Sequence, residues 1–170
     1  NTIAANLLHA ADWPMWRHDP GRTAASKAVV PKNLELRWTR SLPPNSPAYK
    51  DERLQFDRGY EPIVLGKRMF VASAYDNSVT ALNTDTGAEL WKFYSDGPVR
   101  FAPVGGKGRI LFGSDDGHFY CLKASTGELV WKFKAVPSDR QVLGNGRLIS
   151  VWPVRGGPVL KDDKVYFAAG

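Results

Sequence analysis

The sequence predicts an all-β fold, a β-propeller of four-stranded antiparallel blades that is present as an incomplete fragment with about two full blades and further partial ones. Three observations predict this fold. A stretch of 28 residues recurs 40 positions along the chain, each copy alternates short apolar runs with turn residues, and neither copy contains a helical stretch. Four strands in about 40 residues are typical of one propeller blade.

The repeat aligns residues 66–93 with residues 106–133. Nine of these 28 aligned positions are identical, whereas average residue usage would give roughly two. The identical pairs are Gly66/Gly106, Lys67/Lys107, Asp76/Asp116, Leu82/Leu122, Thr86/Thr126, Gly87/Gly127, Trp91/Trp131, Lys92/Lys132 and Phe93/Phe133. Because one unit repeats with this period, we expect the same strand order in both copies.

The second copy has the clearer pattern of strands and turns. Apolar, β-branched and aromatic residues predict strands over 109–114, 118–123 and 128–133. Turn residues separate them at 115–117 (Asp-Asp-Gly) and at 125–127 (Ser-Thr-Gly). This order is that of two consecutive hairpins, and we expect three strands of one blade from it.

The first copy follows the same order, and one more strand precedes each unit. Its turns are predicted at Asp76-Asn77 and at 85–87 (Asp-Thr-Gly). A proline followed by small apolar residues marks the extra strand at Pro62, Pro103 and Pro158. The extra strand completes a blade of four and begins a third unit near the end of the sequence.

The chain is divided on this basis into an N-terminal segment over 1–33 and propeller blades over 34–170. The blade region comprises an outer strand over 34–42, a blade over 61–94, a blade over 101–134 and a partial blade over 157–170. Residues 43–60 and 134–155 depart from the period; such insertions often lie on one face and serve binding, and the alternative is that they are plain irregular loops. Repeat units bury their faces only against neighbours, so we expect the remainder of the propeller or partner chains to cover the open edges.

Composition excludes several classes of protein. The 170 residues are 43% hydrophobic and 24% charged, which is typical of a globular domain. The formal charge is +6, but the basic residues are scattered singly, which argues against nucleic-acid binding. No apolar run reaches the ~18 residues of a membrane-spanning helix. The single cysteine, Cys121, forbids an internal disulfide and any metal site built on paired cysteines.

Arginines recur in the segments that lead into the innermost strands, and they form our candidate ligand site. The set comprises Arg58, Arg100 and Arg155 together with the neighbouring aromatic residues Tyr60, Phe101 and Trp152. In a propeller these segments line one mouth of the central channel, where forked guanidinium donors would suit an anionic or carboxylate-bearing ligand or partner. The alternative is that each arginine forms a structural ion pair with a local acid, namely Asp57, Asp96 or Asp139.

No catalytic or metal-binding residue is predicted. The three histidines, His9, His18 and His118, share no metal spacing. The Asp-Asp-Gly at 115–117 is read as a hairpin turn because a calcium loop needs more oxygen ligands. Residues 105–108 (Gly-Gly-Lys-Gly) resemble a phosphate loop, but no helix follows, and we predict a hairpin turn and not a nucleotide site.

Residues 81–91 resemble the tryptophan-docking motif of pyrroloquinoline-quinone (PQQ) type propellers, Ala-x-Asp-x-x-Thr-Gly-x-x-x-Trp. Ala81, Thr86, Gly87 and Trp91 match the motif in the first copy. The second copy keeps Thr126, Gly127 and Trp131 but has Cys121 for the alanine and Lys123 for the aspartate. The resemblance implies that the indoles of Trp38, Trp91 and Trp131 pack against the neighbouring blade.

The resemblance leaves two functional branches open. Quinoprotein dehydrogenases of this superfamily hold PQQ over Ca²⁺ and often carry an adjacent Cys-Cys pair, whereas non-enzymatic relatives, such as the propeller lipoprotein of the outer-membrane β-barrel assembly machine, act as periplasmic platforms. No Cys-Cys pair occurs here and no residue is matched to the calcium ligands, so the second branch is favoured. We therefore expect a periplasmic or secreted scaffold that binds envelope proteins or a ligand, with no cofactor; a non-enzymatic role is favoured and enzymatic activity is left open. The alternative is a PQQ- and calcium-dependent quinoprotein dehydrogenase that oxidises alcohols or sugars.

Overall fold

The fold consists of antiparallel sheets in the computed structural model, which describes residues 12–144 and 146–170. Residues 1–11 of the predicted N-terminal segment, among them His9, lie outside the described residues, as does residue 145. Twelve strands and a single three-residue 3₁₀-helix, Glu52–Leu54, occur within these ranges. No described helix has the length and apolar character needed to cross a bilayer.

Two sheets of four antiparallel strands confirm the predicted fold class. The first blade is formed by β1 (Ile63–Leu65), β2 (Arg68–Ser73), β3 (Ser78–Asn83) and β4 (Glu89–Tyr94). The second blade is formed by β5 (Val104–Gly106), β6 (Arg109–Gly113), β7 (His118–Lys123) and β8 (Leu129–Lys134). Each sheet keeps its strands in chain order, so successive turns lie at alternating ends of the blade. We call the end that carries the β2–β3 and β6–β7 turns the mouth end, and the other the opposite end.

Residues with a left-handed backbone make the tight turns. Asn77 (φ 57°) and Gly117 (φ 87°) lie in the mouth-end turns, and Gly87 (φ 70°) and Gly127 (φ 74°) lie in the opposite-end turns. Glycine enters this region at low cost because it has no Cβ. Asparagine does so because its short polar side chain can hydrogen-bond locally. The turn positions therefore follow directly from the local sequence.

The main core lies between the two blades. It joins residues of β2 and β3 to residues of β6 and β7, among them Phe70, Val79, Ile110, Phe112 and Leu122, each at most 1% exposed. Burial of side chains of this size contributes about 1.5–3 kcal/mol each. A second cluster, around Val104, Phe119 and Cys121, packs the second blade against the partial one.

The partial blade and the preceding insertion each contain a hairpin. Strands β11 (Val159–Lys161) and β12 (Lys164–Tyr166) form the partial blade. The insertion contains an additional hairpin, β9 (Gln141–Gly144) with β10 (Arg147–Ser150), which the sequence did not predict. Arg147 of this hairpin donates to the Ala74 carbonyl (2.8 Å) and to Asn77 Oδ1 (2.7 Å), so the hairpin reaches the first blade at the mouth end.

The segment predicted as an outer strand, residues 34–42, is not paired as a strand in the structure. A strand needs a neighbouring backbone edge, and no described strand pairs with this segment. Side chains attach it instead: Trp38 Nε1 donates to the Thr84 carbonyl (2.9 Å), and Arg40 Nη2 donates to Glu89 (2.9 Å).

The N-terminal segment lies along the first strand of each unit in turn. Trp13 and Val64 of β1 exchange two backbone hydrogen bonds (2.8 and 2.9 Å), and the Gly105 N–H of β5 donates to the Pro14 carbonyl (2.7 Å). Arg22 Nη2 then donates to the Gly157 carbonyl (2.8 Å) ahead of β11. The backbone contacts cover the edges of β1 and β5 that would otherwise be open.

Candidate functional site

The centre of the candidate site is Asp115, a carboxylate that is 1% exposed in the β6–β7 turn. Its Oδ2 accepts from Arg100 Nε at 2.6 Å. Arg155 donates to both oxygens of the same carboxylate, from Nε (2.9 Å) and from Nη2 (2.9 Å). Asp115 thereby joins the segment before β5 to the segment before β11, at the mouth end.

A second buried carboxylate, Asp57, completes the network. Its Oδ2 accepts from Arg100 Nη1 at 2.7 Å and from the Ala48 N–H at 3.0 Å. Arg100 Nη1 also donates to the Ser46 carbonyl (2.8 Å). Two carboxylates and two guanidiniums balance in charge, which is required of buried charged groups unless a change of protonation makes them neutral. Burial acts to lower the pKa of Arg155, but its bonds to Asp115 outweigh burial and the pKa is raised.

Aromatic rings form a wall beside Arg155. The guanidinium lies 5.8 Å from the Tyr49 ring centroid and 5.9 Å from that of Phe56. Phe56 stacks on Phe101 with centroids 5.3 Å apart. Tyr49 is 45% exposed and Phe56 is 42% exposed. We call Tyr49, Phe56 and Phe101 the aromatic wall; two of its rings are partly exposed and lie next to a cation.

The structure brings together three of the six predicted ligand residues, Arg100, Phe101 and Arg155. The other three lie apart from this network. Arg58 is exposed and donates to the Glu52 carbonyl (2.8 Å), and the Tyr60 hydroxyl donates to the Pro43 carbonyl (2.9 Å). Trp152 is half-buried, and its backbone N–H donates to Ser150 Oγ (3.2 Å).

Of the three acids considered as ion-pair partners of the arginines, one belongs to the network and two do not. Asp57 pairs with Arg100 and not with the adjacent Arg58. Asp96 and Asp139 pair with Lys132 and Lys134, each at 2.8 Å. The acid shared by Arg100 and Arg155, Asp115, was read from the sequence as a turn residue only. No local signal marks it, because its partners lie 15 and 40 residues away.

The tryptophans of the motif contact the glycine turns of the next unit. Trp38 covers Gly87, where an added Cβ would lie 2.7 Å from the indole, and Trp91 covers Gly127, where the distance would be 2.6 Å. Trp91 Nε1 donates to the Ala124 carbonyl (3.1 Å). Trp131 is 40% exposed.

The remaining motif residues shape the strand and turns that those indoles meet. Ala81 is fully buried and is paired in register with Trp91. Thr86 Oγ1 accepts from the Ala88 N–H, and Thr126 Oγ1 accepts from the Glu128 N–H, each at 3.3 Å. These bonds close the turns that carry the two glycines.

No metal centre is formed by the part of the chain that the structure describes. Within it, no three His, Cys, Asp or Glu side chains lie close enough together to bind one ion. His118 Nδ1 is 3.4 Å from Asp116, and His18 Nδ1 is 3.8 Å from Asp19. Cys121 is buried, and burial raises the pKa of its thiol, which disfavours the reactive thiolate.

Glu61 is a half-buried carboxylate just before β1, and its titration gives a testable result. Burial raises the pKa of Glu61 above 4.5, against the lowering effects of the Ala102 N–H and of Arg22. The folded state therefore holds this proton more tightly than the unfolded chain, so the associated stability is present below pH 4.5 and is lost as the pH rises.

We expect Glu61→Gln to remove this loss, because the amide keeps the acceptor and carries no charge. Urea unfolding should show the variant to be more stable relative to wild type at pH 7 than at pH 4, by under about 1 kcal/mol since the group is only half-buried. An equal difference at both pH values would contradict the argument.

Comparison with known proteins identifies the family to which these blades belong. A family model of PQQ-type repeats, described as "Outer membrane protein assembly factor BamB", matches residues 75–170, which is more than half of the chain. This chain belongs to the PQQ-type propeller family. The predicted family is thus confirmed. The solved quinohemoprotein alcohol dehydrogenase from Comamonas testosteroni shares the fold of this PQQ-type propeller chain, with a TM-score of 0.59, 24% identity, and coverage of 99% of this chain and 24% of that one.

Two curated relatives of this propeller chain carry the same name, "Alcohol dehydrogenase (quinone), dehydrogenase subunit". The protein from Gluconobacter oxydans (strain 621H) is 29% identical over 191 residues, covering 99% of this chain and 22% of the relative. The protein from Gluconacetobacter polyoxogenes is 26% identical over 186 residues, covering 96% of this chain and 23% of the relative. The chain therefore spans less than a quarter of the length of these relatives.

These relatives overturn two predictions made from the sequence. The expected main function, a scaffold for proteins or ligands, is wrong, and so is the expectation of no cofactor, because the relatives are named as quinone alcohol dehydrogenases. The physical reason is that the repeat residues are structural and serve both branches equally. The absence of a Cys-Cys pair did not exclude a dehydrogenase, because the chain covers under a quarter of the length of those relatives.

Proposed function

We propose that this chain supplies propeller blades of a PQQ-dependent alcohol dehydrogenase. The observation that carries the proposal is the match to alcohol dehydrogenase (quinone) subunits over 96% and 99% of the chain. The candidate site adds support, because buried charged residues and an exposed aromatic wall converge at one end of the blades. Such convergence of polar groups beside apolar surface is typical of cofactor and substrate sites.

The residues at the mouth end fit the quinone better than they fit calcium. PQQ is a planar, polycarboxylate ring system, and such a ring can lie on aromatic faces beside a guanidinium. Tyr49, Phe56 and Arg155 provide those faces and that cation. Asp57 and Asp115 are both paired with arginine, so these two carboxylates are not free to bind calcium.

Each residue of the network has a role in holding such a ring. When bound, the quinone supplies the two-electron acceptor for alcohol oxidation. Asp115 fixes the plane of the Arg155 guanidinium through two bonds, which removes the entropy cost of orienting a long side chain on binding. Arg100 ties the loop that carries Tyr49 and Phe56 to the second blade through Asp57.

We assign the tryptophan contacts a docking role within this function. Trp38 and Trp91 each cover a glycine turn of the next unit and donate to its backbone. Loss of either contact would weaken the packing between two neighbouring units. The mouth-end loops of those units would then no longer be held in fixed positions relative to each other. Trp131 occupies the equivalent register position opposite Cys121, and we propose that it docks in the same way.

The location of the protein and its partners remain predictions that rest on the family resemblance. The periplasmic or secreted location and the contacts with other envelope proteins were predicted from the resemblance. The name of the relatives, which describes a dehydrogenase subunit, supports the presence of partner chains.

The proposal is tested by reconstitution of the full-length protein with PQQ and Ca²⁺. We expect a quinone absorbance that stays with the protein after gel filtration, and oxidation of ethanol coupled to an artificial dye. Arg155→Lys should weaken quinone binding at least tenfold, because lysine cannot hold Asp115 through two bonds and still present further donors in a fixed plane.

The matched control is Arg58→Lys, the same change at an exposed arginine outside the network, and it should alter binding less than twofold. Failure of the wild-type protein both to retain the quinone and to oxidise alcohols would contradict the proposal. Equal binding by Arg155→Lys and wild type would contradict the assigned site.

A further inference from the structure

A second polar cleft lies at the opposite end of the blades, away from the candidate site. It is open, has a volume of about 380 Å³, and lies between the first and second blades. Its lining includes Arg68 at the start of β2 and residues 105–108, the Gly-Gly-Lys-Gly stretch of the β5–β6 hairpin. The proposed function does not use either feature.

Arg68 is the unexplained group in this cleft. Its Nε is buried and has no hydrogen-bond partner among residues 12–144 and 146–170. Among the residues that the structure describes, no ion pair includes the Arg68 guanidinium. A buried donor without an acceptor costs about 1–3 kcal/mol, and more when it is charged, so such a group in a folded protein indicates a missing partner.

The hairpin opposite Arg68 offers further donors. Lys107 (φ 48°) and Gly108 (φ 71°) are consecutive left-handed residues, as in a two-residue hairpin turn. In the described chain, neither of their backbone N–H groups donates to a carbonyl. Free N–H groups in turns are a common component of anion sites.

Close packing explains why positions 105 and 106 are glycines. It does not explain the two free N–H groups of Lys107 and Gly108. An added Cβ would lie 2.4 Å from the Leu65 side chain at Gly105 and 2.5 Å from the Leu160 side chain at Gly106, whereas nothing lies within 4 Å at Gly108. The first two are small because neighbouring blades approach closely there. The position beside Gly108 is open.

The nearby carboxylates are engaged elsewhere. Asp12 also lines the cleft, but its Oδ1 accepts from the Gly66 N–H at 2.7 Å. Asp163 pairs with the exposed Lys107 ammonium. Beside the Asp12 carboxylate, the cleft therefore keeps one guanidinium without an ion pair and two N–H groups without an acceptor, as far as the described residues show.

We infer that this cleft binds a small oxyanion, a phosphate or carboxylate group held by the Arg68 guanidinium and the N–H groups of Lys107 and Gly108. A guanidinium suits either anion because its planar fork matches two oxygens. The site is not a nucleotide loop, because no helix follows the turn to add a row of N–H groups. This site is independent of the proposed dehydrogenase function, since it uses none of the same residues.

The test is a titration of the ¹⁵N-labelled full chain with inorganic phosphate and, separately, with acetate, at constant ionic strength set by chloride. We expect the amide signals of Lys107 and Gly108 to shift and saturate. Arg68→Gln should weaken the binding at least tenfold. Saturation by phosphate alone identifies a phosphoryl ligand, saturation by acetate alone identifies a carboxylate, and either result supports the site.

The matched control is Lys67→Gln, which removes the same charge from the neighbouring residue. Lys67 is exposed and pairs with Asp85 at 3.0 Å, so this variant should change the affinity less than twofold. Should Arg68→Gln not fold, Arg68→Lys keeps the charge but loses the fork and should still bind several-fold more weakly. The inference is overturned if neither anion shifts the two amides, or if the Arg68 variants bind as well as wild type.

Discussion

Asp115→Asn is expected to destabilise the protein by about 3–5 kcal/mol, because it removes the negative partner of two guanidiniums at once. Asp115 is 1% exposed and accepts three hydrogen bonds at 2.6–2.9 Å from Arg100 and Arg155. Asparagine keeps the size of the side chain but offers one neutral acceptor, so a buried positive charge is left without compensation. The free energy of unfolding of the full chain in urea measures the effect.

Asp139→Asn provides the control for this prediction. Asp139 pairs with Lys134 at 2.8 Å, but its side chain is 80% exposed, so water replaces the lost partner and no measurable change is expected. A loss below about 1 kcal/mol for Asp115→Asn would show that the network does not hold the loops together. In that case Arg155 would also lack the fixed orientation that the proposed quinone site requires.

Gly127→Ala is expected to destabilise the protein by about 2–5 kcal/mol through two separate effects. The backbone φ of +74° is unfavourable for alanine by about 1–2 kcal/mol. The new methyl carbon would also lie 2.6 Å from the Trp91 indole, and relief of such overlap typically costs about 1–3 kcal/mol. Urea unfolding gives the total, and the indole N–H signal of Trp91 should shift because its bond to the Ala124 carbonyl is disturbed.

Gly108→Ala separates the two effects. Gly108 has nearly the same φ, +71°, but nothing lies within 4 Å of an added Cβ. This variant should lose only the backbone part, about 1–2 kcal/mol. Equal losses for the two glycines would mean that the Trp91 contact contributes nothing to the joining of the blades.

The prediction of the blades was possible because their determinants are local. Asn77, Gly117 and Gly127 lie at the predicted turns, where a left-handed backbone is required, and apolar alternation between the turns sets the strands. The segment over 34–42 has the same strand-like composition, but it is not a strand in the structure because strand formation also needs a paired edge. Composition describes the side chains of a segment and not the neighbours of its backbone.

The candidate site was predictable only in part. Arg100, Phe101 and Arg155 were named from their position before the innermost strands, and the structure places them together. Tyr49, Phe56 and Asp115 were not predicted as site residues, because the first two lie in an irregular connection and the third has the sequence of an ordinary turn. Of the paired acids, Asp57 contacts Arg100 across 43 residues of sequence, a separation over which spacing carries no information.

The amino-acid sequence by itself determined the repeat, the all-β blades, their turns and the family, because each rests on backbone preferences within about 40 residues. Only the tertiary structure decided which carboxylate neutralises each arginine, which aromatic rings flank Arg155, and which buried donor in Arg68 has no partner. The physical reason is that charge pairing and solvent exclusion depend on distances in space, and the blades bring together residues from distant parts of the chain. Function followed from neither alone, since the same blades serve proteins with and without a quinone.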